Sequence, residues 1–145
     1  MTSNRGTAGS GPARRAVVAG HGDFASGAIS AVQQISGKGD VFRGVSNRDL
    51  SAVGLEEALR AVVAAVGASV IFTDLPAGSC AIAARRVARD TPALVVVSGA
   101  NLSVLLAWAL GSGNGVAACE HAVERGRGAM AVIPGGAATE SGLAH

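Results

Sequence analysis

Short apolar runs alternate along the chain with longer stretches in which apolar residues recur at helical spacing. The apolar runs occupy residues 16–19, 69–73 and 93–98, and a shorter candidate strand, interrupted by Arg43 and Gly44, occupies 41–45. The helical stretches occupy residues 24–35, 55–66, 80–89 and 101–110. Uninterrupted apolar runs bounded by turn residues are typical of strands buried on both faces of a parallel sheet. The alternation therefore predicts an α/β fold: a doubly wound, mainly parallel four-stranded sheet in the order 2-1-3-4, with helices on both faces.

The last part of the pattern predicts a helix over 116–127 and a short strand over 129–133. This strand follows a glycine-rich connector and a helix, so it can reach a neighbouring subunit. Pairing with the edge of that subunit's sheet would satisfy backbone groups that are otherwise exposed. We therefore expect a homodimer whose C-terminal strand is exchanged between subunits.

The composition is that of one folded domain. The chain has 145 residues, of which 49% are hydrophobic and 15% charged, and these values exclude general disorder. We predict flexible tails over 1–15 and 134–145 on either side of a domain over 16–133. Net charge is +2 with scattered basic residues, and aromatic residues make up only 3%. Because nucleic-acid binding needs a clustered basic face or stacking aromatics, no nucleic-acid partner is expected.

The sequence also indicates a cytoplasmic protein. Two cysteines, Cys80 and Cys119, are too few for a disulfide framework and form no CxxC pair. Residues 1–12 contain no apolar core of the kind that a signal peptide has. The longest apolar stretch, 93–110, is interrupted by polar residues and is better explained by a strand, a turn and a helix than by a membrane span.

The candidate chemistry lies at the ends of the first and third predicted strands. His21 follows the first strand between Gly20 and Gly22, and Asp74 follows the third. In the order 2-1-3-4 these strand ends are neighbours at the point where the topology switches, which is where open α/β sheets place ligands. A carboxylate there can accept the Nδ1–H of the imidazole and leave Nε2 as a nucleophile. The alternative is that His21 fills a turn and Asp74 caps one.

An anion site is predicted beside this pair. Ser79 is the expected N-cap of the helix over 80–89, and the first amides of that helix can hold an anionic group. A metal site drawn from His21, Asp23, Asp74 and His121 has no ligand spacing to support it, so no metal is expected. Cys80 is interpreted as a small buried hydrophobic residue.

The segment 20–25 also satisfies the loose dinucleotide-binding pattern G-x-G-x-x-A. That pattern requires an acidic residue at the end of the second strand. Asp40 precedes the strand and Asp49 lies several residues beyond it. The glycine pattern alone is weak, and no cofactor is expected.

Four segments resemble, in the right order, IIA components of the mannose-family bacterial sugar phosphotransferase systems (mannose, fructose, sorbose and N-acetylgalactosamine type). They are AGHGDFASG at 19–27, FTDL with AGS at 72–79, SGANL at 98–102, and the helix over 120–128. The resemblance spans about 16–133. Each motif is modest, but their joint occurrence is fairly specific.

The resemblance implies a phosphotransferase component that carries a phosphoryl group. The phosphohistidine protein HPr would phosphorylate His21 on Nε2, and Asp74 would orient the ring. A histidine of a IIB component would then receive the group for sugar uptake, with the membrane components IIC and IID involved indirectly. Gly22, Gly78 and Ser79 are the implied phosphoryl-binding residues. Family members are homodimers whose last strand crosses to the partner's sheet.

The loop after Asp74 departs from the family pattern, in which Gly-Gly-Ser/Thr-Pro-Phe/Tyr is expected. Ala77 and Cys80 stand where that pattern has glycine and proline. No IIB module follows within the 145 residues, so the acceptor is expected to be another chain. Two alternatives stay open: the phosphocarrier subunit of a phosphotransferase-dependent dihydroxyacetone kinase, and a non-catalytic nucleotide-binding or regulatory module.

Overall fold

Strands and helices alternate along the chain, as the apolar pattern predicts. The structure is a computed structural model and describes residues 13–136. The strands are β1 Ala16–Gly20, β2 Phe42–Ser46, β3 Val70–Thr73 and β4 Val95–Val97. The helices are α1 Phe24–Ser36, α2 Ala52–Val66, α3 Ser79–Arg89, α4 Leu102–Leu110 and α5 Gly115–Gly128, and a short 3-10 turn, Gly39–Val41, precedes β2.

The four strands form one parallel sheet in the order β2-β1-β3-β4. This confirms the predicted fold class and strand order. Ala16 pairs with Phe42 on one side and with Val70 on the other, and β3 lies beside β1 through all four of its residues. Parallel neighbours end at the same edge, and the residues that follow β1 and β3 therefore meet there.

Each face of the sheet is covered by a separate core. On one face Val18, Phe42 and Phe72 pack against α1, α4 and α5, and Trp108 of α4 lies with its ring centroid 5.8 Å from that of Phe72. On the other face, alternate residues of β1 and β3 pack against α2 and α3. Because successive strand residues point to opposite faces, a strand covered on both sides must be apolar throughout, as β1 is.

Helices α2 and α3 begin earlier than the sequence predicts, and the residues that cap their N-termini explain why. Gly78, with φ +103°, is the N-cap of α3, and Ser79 is already its first residue, so the predicted N-cap at Ser79 is wrong. The left-handed conformation that glycine tolerates at 78 lets the helix begin one residue early. Helix α2 begins before residue 55 because the Ser51 hydroxyl accepts a hydrogen bond from the backbone N–H of Gly54.

Residues 129–133, which the sequence predicts to pair with the sheet of a second subunit, do not form a strand within this chain. The segment leaves α5 with the side chains of Met130, Val132 and Ile133 81%, 93% and 86% exposed. It pairs with none of the four strands of the chain's own sheet. An exchanged strand would form only against a second copy, so the exchange remains a prediction.

Arg14 makes a contact that the sequence does not predict. Its guanidinium lies 3.9 Å from the centroid of the Trp108 ring and donates to the carbonyl oxygens of Trp108, Gly111 and Gly113, at 2.6, 3.1 and 2.8 Å. It thereby caps the end of α4, whose last carbonyl groups have no partner within the helix. Residues 1–12 and 137–145 of the predicted tails lie outside the described residues.

Among residues 13–136, no helix combines the length and the apolar character needed to cross a bilayer.

Candidate functional site

His21 and Asp74 meet at the carboxyl edge of the sheet. His21 follows β1 directly and Asp74 follows β3 directly. One carboxylate oxygen of Asp74, Oδ2, accepts two hydrogen bonds from His21: the backbone N–H donates at 2.8 Å, and ring Nδ1 lies at 2.9 Å. The structure thus brings together the two residues that the strand order places side by side.

This contact determines which nitrogen of the ring is free. An ionised carboxylate only accepts hydrogen bonds, so Nδ1 of the neutral ring must carry the proton and Nε2 keeps the lone pair. The His21 side chain is 44% exposed, whereas the Asp74 side chain is only 10% exposed. The exposed ring therefore has Nε2 available as a nucleophile, while its Nδ1 is hydrogen-bonded to the largely buried Asp74.

The Asp74 carboxylate is itself fixed by the turn that carries it. The backbone N–H of Asp74 donates to the carbonyl oxygen of Ala19, and the buried hydroxyl of Thr73 donates to that of Leu75. The guanidinium of Arg85 donates to the carbonyl of Pro76 at 2.9 Å and holds the loop against α3. The second carboxylate oxygen, Oδ1, is buried and has no hydrogen-bond partner within residues 13–136.

The three residues implied as phosphoryl ligands belong to the two segments that border His21: the turn after β1 and the start of α3. Gly22 follows His21 directly, with φ +56°. A Cβ on Gly78 would lie 3.9 Å from His21 Cε1, the ring carbon between the two nitrogens, so the N-terminus of α3 borders the imidazole. The first amides of a helix lack partners within it and attract anions, and Ser79 supplies one of them.

An ion pair beside the loop is a feature that sequence reasoning missed. Arg48, just beyond β2, lies 3.1 Å from the carboxylate of Asp23, and both side chains are largely exposed. The Ser46 hydroxyl donates to the carbonyl of Gly22 at 2.9 Å and ties β2 to the same loop. The only sign of this ion pair in the sequence is the basic residue Arg48 in the turn that follows β2.

Cys80 is the second residue that sequence reasoning left outside the site. One donor atom from each of His21, Asp74 and Cys80 lies within 4.8 Å of the others. Burial, and then the nearby Asp74 carboxylate, raise the pKa of the Cys80 thiol, so it is protonated at neutral pH. Of the ligand set considered from sequence, Asp23 pairs with Arg48 instead, and His121 lies on α5.

Fold and site together define a doubly wound α/β protein that presents one carboxylate-bound imidazole at its topological switch point. The model of a family described as the PTS (phosphotransferase system) fructose IIA component, EIIA-man, matches residues 15–122. The chain belongs to this family and has the role of a sugar phosphotransferase IIA component.

Several solved structures share the fold. The mannose/sorbose-specific IIA subunit from Enterococcus faecalis is 20% identical, with a TM-score of 0.73 over 85% of this chain and 96% of that one. EIIA from Streptococcus agalactiae is also 20% identical, with a TM-score of 0.75 over 82% and 96%. The IIA protein associated with the fucose utilization operon of Streptococcus pneumoniae is 23% identical, with a TM-score of 0.71 over 82% and 92%. No curated protein matches the chain.

Proposed function

We propose that this protein is a cytoplasmic phosphohistidine carrier. Nε2 of His21 accepts a phosphoryl group from phosphorylated HPr and passes it to a histidine of a IIB component, which serves sugar uptake through IIC and IID. The observation that carries this proposal is the double use of Asp74 Oδ2, which binds both the backbone N–H and ring Nδ1 of His21. Such a contact orients the ring and leaves only Nε2 as nucleophile.

The transfer is an in-line displacement at phosphorus. The lone pair of His21 Nε2 forms the new N–P bond while the N–P bond of phospho-HPr breaks, and HPr leaves with the electron pair on its own histidine nitrogen. The attacking ring gains positive character as the bond forms. The negative Asp74 carboxylate, 2.9 Å from Nδ1, stabilises that charge without taking the proton.

The phosphoryl oxygens need donors as well as space. Gly22 and Gly78 have no side chain to crowd the ring, and the N-terminal amides of α3, including that of Ser79, can point donors at the bound group. A helix N-terminus stabilises an anion by about 1 kcal/mol. The role of the protein is thus mainly positioning and charge stabilisation, as phosphoryl transfer requires.

The exposure of His21 supports a carrier that serves two partners. A side chain that is 44% exposed at a sheet edge can be reached by a donor protein and then by an acceptor protein. Incubation with phosphoenolpyruvate, enzyme I and HPr should give one phosphate per chain, labile in acid and stable in base. No labelling under conditions that charge HPr would overturn the proposal. Transfer onward to a dihydroxyacetone kinase subunit, but not to IIB, would instead favour the kinase-subunit alternative.

We also propose a homodimer. β4 is an edge strand of the sheet and pairs only with β3 among the described strands, while the apolar residues Met130, Val132 and Ile133 are exposed after α5. A strand donated by a second copy would cover both features.

Truncation after Gly128 is expected to convert a dimer to a monomer or an aggregate, because it removes the apolar segment and leaves the β4 edge open. Light scattering at micromolar concentration measures the change. The control is truncation after Gly136, which keeps the segment and should stay dimeric. A full-length chain that is monomeric under these conditions would contradict the proposal.

A further inference from the structure

Three side chains with different donor atoms come together where β1 and β3 end. His21 offers an imidazole nitrogen, Asp74 a carboxylate oxygen and Cys80 a thiol sulfur, and these donor atoms lie within 4.8 Å of one another. They come from three separate places: the turn after β1, the turn after β3, and the first turn of α3. The carrier chemistry described above uses the first two and has no use for the sulfur.

A second observation points to a ligand at this cluster, since one of its buried oxygen atoms lacks a partner among residues 13–136. The Asp74 side chain is nine-tenths buried, and its Oδ1 has no hydrogen-bond partner although it is shielded from solvent. A buried carboxylate oxygen without a partner is costly, since the lost hydration is not replaced. A cation bound among the three side chains would satisfy it.

We propose that His21, Asp74 and Cys80 form a three-ligand site for a soft divalent cation, best matched by Zn²⁺, and that its occupancy prevents phosphorylation of His21. The second half of this statement rests on the carrier function proposed above. Nitrogen, oxygen and thiolate sulfur are the donors that zinc takes in proteins, and three protein ligands leave one position for water.

Small side-chain movements would bring the three donor atoms to the spacing of a tetrahedral zinc site. In a tetrahedral zinc site the ligand atoms lie roughly 3.3 to 3.8 Å apart, given bond lengths of about 2.0 to 2.3 Å. The present separations of up to 4.8 Å close to that range if the exposed His21 ring and the Cys80 side chain turn inward. Cys80 binds as thiolate, and its proton is released to solvent as the metal binds.

Metal binding and phosphorylation exclude each other because a neutral imidazole has a single lone pair. If zinc takes Nε2, the nucleophile is blocked directly. If zinc takes Nδ1, the proton moves to Nε2, which then has no lone pair for phosphorus.

Cobalt(II) titration into the full chain tests the site without reference to phosphotransfer. We expect one cobalt per chain, with intense d–d bands of tetrahedral coordination and a thiolate-to-cobalt charge-transfer band. Cys80→Ala should abolish the charge-transfer band. Cys119→Ala removes the other buried thiol and should keep it. His21→Ala, which changes an exposed side chain, should weaken cobalt binding by on the order of 100-fold.

The inhibitory half is tested by the ratio of HPr-dependent phosphorylation rates with and without zinc chloride. That ratio should fall steeply in the wild type and in Cys119→Ala, and return to near unity in Cys80→Ala. A wild-type chain with no charge-transfer band, or a band that survives Cys80→Ala, overturns the site. A chain that binds cobalt through Cys80 yet takes no phosphoryl group would overturn the carrier function and leave the metal site supported.

Discussion

His21→Ala is expected to abolish phosphorylation by HPr completely while the domain stays folded. His121, the other histidine among residues 13–136, lies within helix α5, and His145 lies outside the described residues. The variant removes a side chain that is 44% exposed, so the two cores are not disturbed. Acid-labile label per chain, measured with phosphoenolpyruvate, enzyme I and HPr, gives the result, and a thermal melt checks the fold.

His121→Ala is the matched control and should be labelled like the wild type. Label that persists in His21→Ala would show that another residue carries the phosphoryl group. The double contact between Asp74 and His21 would then have to be explained as a structural tie between two turns.

Asp74→Asn is expected to slow phosphorylation of His21 by about 10²- to 10⁴-fold with little change in fold. Asparagine fills nearly the same space, and its carbonyl oxygen can still accept from the His21 backbone N–H. It offers no negative charge to the developing cationic ring. If its NH₂ group faces Nδ1 instead, the proton of the ring is displaced to Nε2 and the nucleophile is lost.

Two measurements test whether Asp74 orients the His21 ring or only packs against it. Nitrogen NMR of the imidazole should show the Nδ1–H tautomer in the wild type and a shift toward Nε2–H in Asp74→Asn. Asp23 pairs with Arg48 and its side chain is 82% exposed, so Asp23→Asn should keep the rate within a few-fold of the wild type. An unchanged rate in Asp74→Asn would reduce Asp74 to a structural cap.

The approach of His21 and Asp74 could be predicted because it follows from topology. Each residue comes directly after a buried strand, and the crossover rules place those strands side by side. The position of Cys80 could not be predicted in the same way, since it depends on where α3 begins. With Gly78 rather than Ser79 as N-cap, Cys80 is the second helical residue and is buried beneath the ring.

Contacts between distant parts of the chain could not be predicted from the sequence either. The pairing of Arg14 with Trp108 joins residues 94 positions apart, and no local pattern announces it. The ion pair of Arg48 with Asp23 depends on the exact shape of two turns that only the folded sheet brings together. A strand over 129–133 was predicted from the residue pattern, but strand formation requires a partner, and within this chain the segment pairs with none of the four strands.

The Arg14 contact has a practical consequence for joining other proteins to this one. Arg14 anchors the chain just before β1, at the amino edge of the sheet, whereas His21 stands at the carboxyl edge. The five residues of β1 separate the two edges by roughly 16 Å. A label or module attached ahead of Arg14 therefore joins the fold on the side away from His21, so the proposed donor and acceptor proteins would keep access to the ring.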